Sequence, residues 1–251
     1  MNSIYNNVVK KLYSEPELYF GEFKDYKDDE FFWSCIVDQY KPKSILEVGI
    51  GNGRLAGLLH DMVSKYDGID FSKEIVKYCK KNKKFDNTSF YYGDFKTKRL
   101  NKKYDLIILP FNVINHFYTY EDITSLFNNI RNHCKKNTII IIDTINPTVN
   151  DLIDNENFVK TNSFIMNGQC IEVFENRKYD IINSTCIYTK RYVVDGTIIN
   201  ESVLPNRIFL HQELEMIIKS NRFKIEKIYG DYNLEDYKNN SRKQIYVIRS
   251  K

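Results

Sequence analysis

Alanine is almost missing from this 251-residue chain, with Ala56 its only example. Proline (5) and glycine (10) are also scarce, which excludes a collagen-like or Pro/Gly-rich low-complexity chain. No apolar run approaches the roughly 18 residues of a membrane-spanning helix; the longest, Thr138 to Ile142, is strand-sized. The segment Met1 to Asn7 lacks the basic-then-apolar order of a secretory signal. Neither sign of charge dominates. Against 33 acidic residues stand 37 basic ones, and the pI near 8.6 is too mild for the basic footprint of a nucleic-acid-binding domain. Five cysteines (Cys35, Cys79, Cys134, Cys170 and Cys186) are odd in number and form no CxxC pair. That pattern fits neither a disulfide framework nor a zinc site, and implies free thiols in a reducing cytoplasm. His60, His133 and His211 have no partners at metal-ligand spacing, and Asp143 alone is not a cation site, so no metal is expected.

What is abundant is Lys, Asn, Ile and Tyr, all with AT-rich codons, and a 42% hydrophobic share that supplies a core. The length suits one elaborated domain better than two. Residues 1–40 read as a helical, aromatic segment, and Pro42 starts a strand. Ser44–Val48, Tyr66–Asp70, Ser89–Tyr92, Tyr104–Leu109 and Thr138–Asp143 then read as buried strands alternating with helices. Such alternation specifies a parallel sheet with helices on both faces.

The rhythm changes after Pro147. Residues 158–210 hold several strand-like runs, with favoured hairpin dipeptides at Asn167-Gly168 and Asp195-Gly196. This predicts an inserted antiparallel sheet. A helix near His211–Asn221 and strands at Phe223–Tyr229 and Lys243–Arg249 then resume the α/β pattern. The expected organisation is a helical lid over 1–40, a cofactor-binding core over 41–150 and 211–251, and an inserted substrate or dimer lobe over 151–210.

The sharpest motif is Glu47-Val48-Gly49-Ile50-Gly51-Asn52-Gly53, directly after the first strand. Glycines there let the backbone turn tightly and approach a ligand. A dinucleotide fingerprint would place its third glycine where Arg54 stands, and no Gly-Lys-Ser/Thr follows for a phosphate loop. Asp70 ends the second strand and Asp94 follows the third, both on the rim where open α/β sheets bind ligands.

Together with Asp105-Leu106-Ile107-Ile108 and Phe111 to His116, these motifs resemble class I S-adenosylmethionine-dependent methyltransferases across residues 44–145. The resemblance implies a Rossmann-like α/β fold with a seven-stranded, mostly parallel sheet. It also implies S-adenosyl-L-methionine as cofactor, with S-adenosyl-L-homocysteine as its product. Glu47, Gly49, Gly51, Asn52 and Gly53 then line the methionine part, Asp70 and Phe71 take the ribose, and Asp94 and Phe95 take the adenine. Pro110, Phe111 and Tyr19 complete the cofactor contacts. Ile50 stands where the family often has a small residue or Cys.

The inserted sheet and the Tyr-rich start are similar to a branch that includes nucleotide-aminosugar N-methyltransferases. That similarity implies a small polar metabolite as acceptor, of sugar, nucleotide-sugar or phosphorylated cell-surface-precursor type, methylated on N or O. His116 is the candidate base or substrate-orienting group, since an imidazole titrates in the working range; helix capping or packing is the competing reading. Asn112, Asn115, Tyr13, Arg191 and Arg207 are candidate substrate contacts, the arginines because their fork suits phosphate or carboxylate. RNA or protein methylation, or non-catalytic cofactor binding, are the alternatives. The chain is expected to be cytoplasmic, monomeric or homodimeric, and without nucleic-acid or membrane partners.

Overall fold

The computed structural model describes residues 5, 8, 9, 13 and 16–250. Two compact units emerge, one formed by 1–26 with 147–208 and the other by 27–146 with 209–251.

The larger unit is built on a seven-stranded sheet. Its strands in chain order are β1 (Ser44–Val48), β2 (Lys65–Asp70), β3 (Thr88–Tyr92), β4 (Tyr104–Leu109), β5 (Cys134–Ile145), and then β10 (Phe223–Tyr229) and β11 (Lys243–Ser250). They lie in the order β10-β11-β5-β4-β1-β2-β3, with β1 to β5 mutually parallel and β11 antiparallel to both β5 and β10. The chain order reverses direction at β1, which has β2 on one side and β4 on the other. That is the switch point beside which ligands bind in such sheets. All five residues of β1 are buried, and so are the last four of β4, as expected of central strands covered on both faces.

Helices α2 (Glu30–Tyr40), α3 (Arg54–Leu59), α4 (Lys73–Asn82), α5 (Tyr120–Asn132) and α6 (His211–Ser220) belong to this unit. Ser72 caps α4 by accepting the Ile75 N–H, and Thr119 caps α5 by accepting that of Asp122. Residues 27–40, expected within the N-terminal lid, fall in the larger unit. The physical reason is burial: Phe32, Trp33, Ile36 and Val37 on α2 are all inaccessible or nearly so.

The smaller unit is a four-stranded antiparallel meander, β6 (Asn155–Met166), β7 (Gln169–Asp180), β8 (Thr185–Val194) and β9 (Thr197–Arg207). Both expected hairpin dipeptides form its tight turns, with left-handed φ at Asn167, Gly168, Asp195 and Gly196. Helix α1 (Pro16–Glu22) brings Leu18 onto a small core of Ile171, Val173 and Tyr192. Beside it Lys190 is buried between Glu22 (2.8 Å) and Glu175 (2.9 Å), while the Tyr192 hydroxyl donates to Glu22 (3.0 Å). A buried cation is tolerated only when paired in this way. Among the described residues, no helix is long and apolar enough to cross a membrane.

One polar knot shapes the loop after β3. Asn129 on α5 donates to the carbonyls of Phe95 (2.6 Å) and Lys98 (2.8 Å), while His133 pairs with the Asn129 carbonyl (2.7 Å) and accepts the Leu100 N–H (3.0 Å). Asn129→Ala strands both loop carbonyls in a buried setting, with an expected loss of about 2–3 kcal/mol in urea unfolding. A loss below about 0.5 kcal/mol would mean that the knot does not hold the loop.

Candidate active site

The glycine turn follows β1 because three successive odd positions need left-handed backbone: φ is +78° at Gly49, +54° at Gly51 and +72° at Gly53. A Cβ at Gly49 would overlap the Val113 side chain, so that glycine is required by packing as well. At Gly51 a Cβ would meet nothing within 4 Å, so the turn presents bare backbone to open space there. The Asn52 side chain accepts the Arg54 N–H (3.1 Å) and starts α3.

Asp70 closes the turn from β2. Its carboxyl accepts the Ser72 N–H (2.9 Å) and backbone N–H groups of Ile50, Gly51 and Phe71. Burial raises its pKa to about 6 despite those bonds. Glu47 lies deeper and is fully buried, accepting the Tyr66 hydroxyl (2.8 Å); burial raises it to about 8. Asp94, after β3, keeps half of its carboxylate exposed while accepting the Lys96 N–H (2.9 Å).

Arg54 forms a fork on Asp29 with two bonds of 2.5 Å, and the fully buried Asp29 also accepts the Trp33 indole N–H (3.0 Å). The Arg54 guanidinium lies 5.8 Å from the centre of the Phe111 ring, and the Lys243 ammonium lies 5.9 Å from the same ring. Phe111 and Asn112 are both left-handed, at φ +49° and +65°. Two adjacent non-glycine residues in that region store strain of the kind that concentrates at functional sites. Pro110 precedes them, and its carbonyl accepts the Val113 N–H (3.2 Å).

Several of the expected site residues are engaged within the protein. The Phe95 ring is packed in the core, 5.4 Å from the His133 ring. Asn115 is fully buried and accepts the Thr144 hydroxyl (2.7 Å), a bond that anchors the loop to β5. Arg191 pairs with Glu201 on the neighbouring strand (2.7 Å) and lies over the Phe158 ring. Its charge is therefore already matched. Tyr13 and Tyr19 pack edge to face at 5.4 Å in the smaller unit, as part of an aromatic cluster that continues to Phe23. Arg207 ends β9, opposite Thr185.

His116 closes a 3-10 turn at Val113–His116. It is half-buried, its Nδ1 lies 3.4 Å from the Tyr118 hydroxyl, and desolvation lowers its pKa to about 4. The imidazole is therefore neutral at pH 7. Asp29, Tyr232 and Lys243 were missed by sequence reasoning as members of this rim, and Asp143 was weighed only as a cation ligand. No local spacing signals them, since Tyr232 and Asp143 are 89 positions apart.

The arrangement fits a nucleoside-sulfonium cofactor. Bare backbone at Gly51 admits a close ligand, and the Asp70 and Asp94 carboxylates are acceptors for hydroxyl and amino donors. The comparisons agree. A family model described as "Methyltransferase domain" matches residues 40–222. A curated relative, the putative methyltransferase 235L of Invertebrate iridescent virus 6, is 26% identical over 90 residues; the match covers 34% of this chain and 33% of that protein. The chain thus spans about a third of that relative's length. Among solved structures, the CcbJ methyltransferase from Streptomyces caelestis shares the fold at a TM-score of 0.79 and 18% identity, over 98% of this chain and 97% of that one. CalS10, an amino pentose methyltransferase from Micromonospora echinaspora, shares it at 0.68 and 14%, over 92% and 94%.

Glu47 and Asp70 give a pH signature to the unliganded protein. Both carboxyls have folded pKa values above their unfolded ones, so their favourable contribution is complete below about pH 4 and is lost as pH rises through about 6 and then 8. Thermal stability is expected to fall between pH 5 and 8.5, and Glu47→Gln to flatten the upper half of that decline. An unchanged slope in the variant would show that Glu47 is ionised throughout. By family model and by fold, the chain belongs to the methyltransferase-domain family and has the class I fold of the S-adenosylmethionine-dependent enzymes.

Proposed function

We propose that this protein transfers a methyl group from S-adenosyl-L-methionine to a nitrogen or oxygen of a small polar metabolite, with a sugar, nucleotide-sugar or phosphorylated glycan precursor as the favoured class. The observation that carries the reading is the glycine turn held by Asp70, with bare backbone at Gly51 and a second acceptor at Asp94. Bound there, S-adenosylmethionine supplies a methyl group already activated by its sulfonium. The chain's own work is to bind, align and exclude water.

Each residue has a role that its surroundings permit. The Asp70 carboxyl accepts the ribose hydroxyls, and Asp94 with the backbone of Phe95 holds the adenine edge. The Phe111 ring, flanked by Arg54 and Lys243, forms an apolar wall near the reacting centre. His116 orients the acceptor, since the desolvation that lowers its pKa to about 4 makes it a weak proton acceptor at working pH. Support for a metabolite-sized acceptor comes from the mild charge, from an insert rather than a basic appended domain, and from the amino pentose methyltransferase among the fold relatives. The smaller unit is the proposed substrate lobe, with α1 as part of its lid and Arg207 as its candidate anion contact. The cytoplasm is the proposed compartment, and monomer or homodimer the proposed state.

Calorimetry with S-adenosylhomocysteine tests the centre of this reading. The wild type is expected to bind, and Asp70→Ala to weaken binding at least tenfold, about 1.4 kcal/mol. No binding, or equal binding by the variant, would overturn it. A methyl-transfer screen across nucleotide sugars, phosphorylated metabolites, peptides and RNA identifies the acceptor class, and activity confined to RNA would sink the metabolite assignment. With the acceptor in hand, His116→Ala is expected to lower kcat by roughly 10²-fold while S-adenosylhomocysteine affinity stays within about threefold.

A further inference from the structure

Asp143 has no role in the chemistry described so far, yet its side chain engages three groups on the rim. It is fully buried near the end of β5. Its Oδ2 accepts the Phe111 N–H (2.8 Å) and the Tyr232 hydroxyl (2.8 Å), its Oδ1 lies 3.1 Å from the Lys243 ammonium, and its backbone carbonyl accepts the Asn112 N–H (3.1 Å). One residue thus binds the amides of both left-handed residues after β4. Tyr232 is itself braced, its ring 6.0 Å from Phe32 on α2 and 5.0 Å from the Lys243 ammonium.

This clamp has a visible purpose. Left-handed backbone at Phe111 and Asn112 costs about 1–3 kcal/mol each and persists only when its surroundings impose it. What the imposed geometry produces is an unsatisfied acceptor: among the described residues, the buried Asn112 Oδ1 has no hydrogen-bond partner. A buried polar atom without a partner is costly, so its retention needs an explanation in a ligand. An amide oxygen accepts from N–H or O–H, and a hydroxyl or a primary or secondary amine among methyl acceptors carries such a hydrogen.

We propose that Asp143, held between Lys243 and Tyr232, is the positioning residue of the methyl-transfer site, fixing the Phe111–Asn112 pair so that the Asn112 amide oxygen receives a donor hydrogen of the methyl acceptor. The inference rests on the cofactor reading above and deepens it. It adds a specificity rule: acceptors with an N–H or O–H beside the reacting atom are favoured, and fully substituted amines or ethers are not.

The experiment needs no identified acceptor. Sinefungin carries an amine-bearing carbon where S-adenosylmethionine carries its methyl-sulfonium, so its ammonium probes the methyl position with N–H donors. S-adenosylhomocysteine has no group there. Affinities for both compounds are measured by calorimetry on the wild type, Asn112→Ala, Asp143→Asn, Tyr232→Phe and the Asn112→Ala/Asp143→Asn double variant. Wild type is expected to prefer sinefungin. That preference should fall roughly tenfold in Asn112→Ala and Asp143→Asn, and about threefold in Tyr232→Phe, as S-adenosylhomocysteine affinity stays within about threefold. The double variant should lose no more than the worse single one, because Asp143 acts through Asn112.

A preference that survives in all variants overturns the proposal. So does a parallel loss of both affinities in Asp143→Asn and Tyr232→Phe, since a merely structural residue would weaken both ligands alike. Tyr232→Phe removes one hydrogen bond from a buried carboxylate and keeps the ring, so it guards against Asp143→Asn failing to fold. If the wild type binds neither compound, the cofactor reading falls first and this inference falls with it. That result is distinct from binding without preference, which overturns only the inference.

Discussion

The rim of the large sheet depends on buried carboxylates that take up hydrogen-bond donors left over where parallel strands end. A strand that stops beside a ligand site leaves its following amides without sheet partners, and buried amides must be satisfied. Here Asp70 gathers the amides of the glycine turn and of its own following residues, and Asp143 gathers that of Phe111. Asp29 does the same for a side chain, holding the Arg54 fork and the Trp33 indole. Each carboxylate sits on or beside a different element, so the three together fix the relative heights of the turn after β1, the loop after β4 and helix α2. The catalytic geometry is a consequence of that bookkeeping of donors.

Placing charge in such positions is expensive, and the molecule handles the cost in two ways. Asp29 and Asp143 are neutralised by a cation within ion-pair distance. Glu47 and Asp70 instead move their titration upward, towards neutrality, because hydrogen bonds alone do not compensate their burial. The first pair therefore provides fixed structure, while the second provides groups whose charge responds to what is bound.

Much of this was legible in the sequence. The apolar run Leu106–Leu109 identified β4 and the β-branched run Thr138–Ile142 identified β5, since a strand covered on both faces can be apolar at successive positions. The glycine turn was legible because backbone geometry restricts its residue types, and so were the two hairpin dipeptides. The limits are equally physical. Strands β6 and β7 extend well beyond the expected apolar runs because Asn155–Ser163 pairs through its backbone while its side chains stay largely exposed. Phe95 and Asn115 were assigned by motif position, which fixes where the backbone goes and not which way a side chain turns. Asp143 was legible as the acid ending β5, but its partners Tyr232 and Lys243 carry no local signal at all. They meet because β11 runs antiparallel beside β5, pairing Lys243 with Ile145 and Ile245 with Asp143.

That last pairing explains why the one antiparallel strand matters to the site. A parallel neighbour for β5 would deliver the end of its chain at the rim and would need a crossover before contributing again. An antiparallel β11 instead begins at the rim, so the segment joining it to β10 lies at the same end and both Tyr232 and Lys243 reach Asp143 from it. The cation and the hydroxyl that fix Asp143 thus come from the chain's last hairpin, closed only after the inserted sheet has been passed. The strained backbone of the loop after β4 therefore depends on the pairing of β11 with β5. The whole larger unit, and not the glycine turn alone, is what prepares the site.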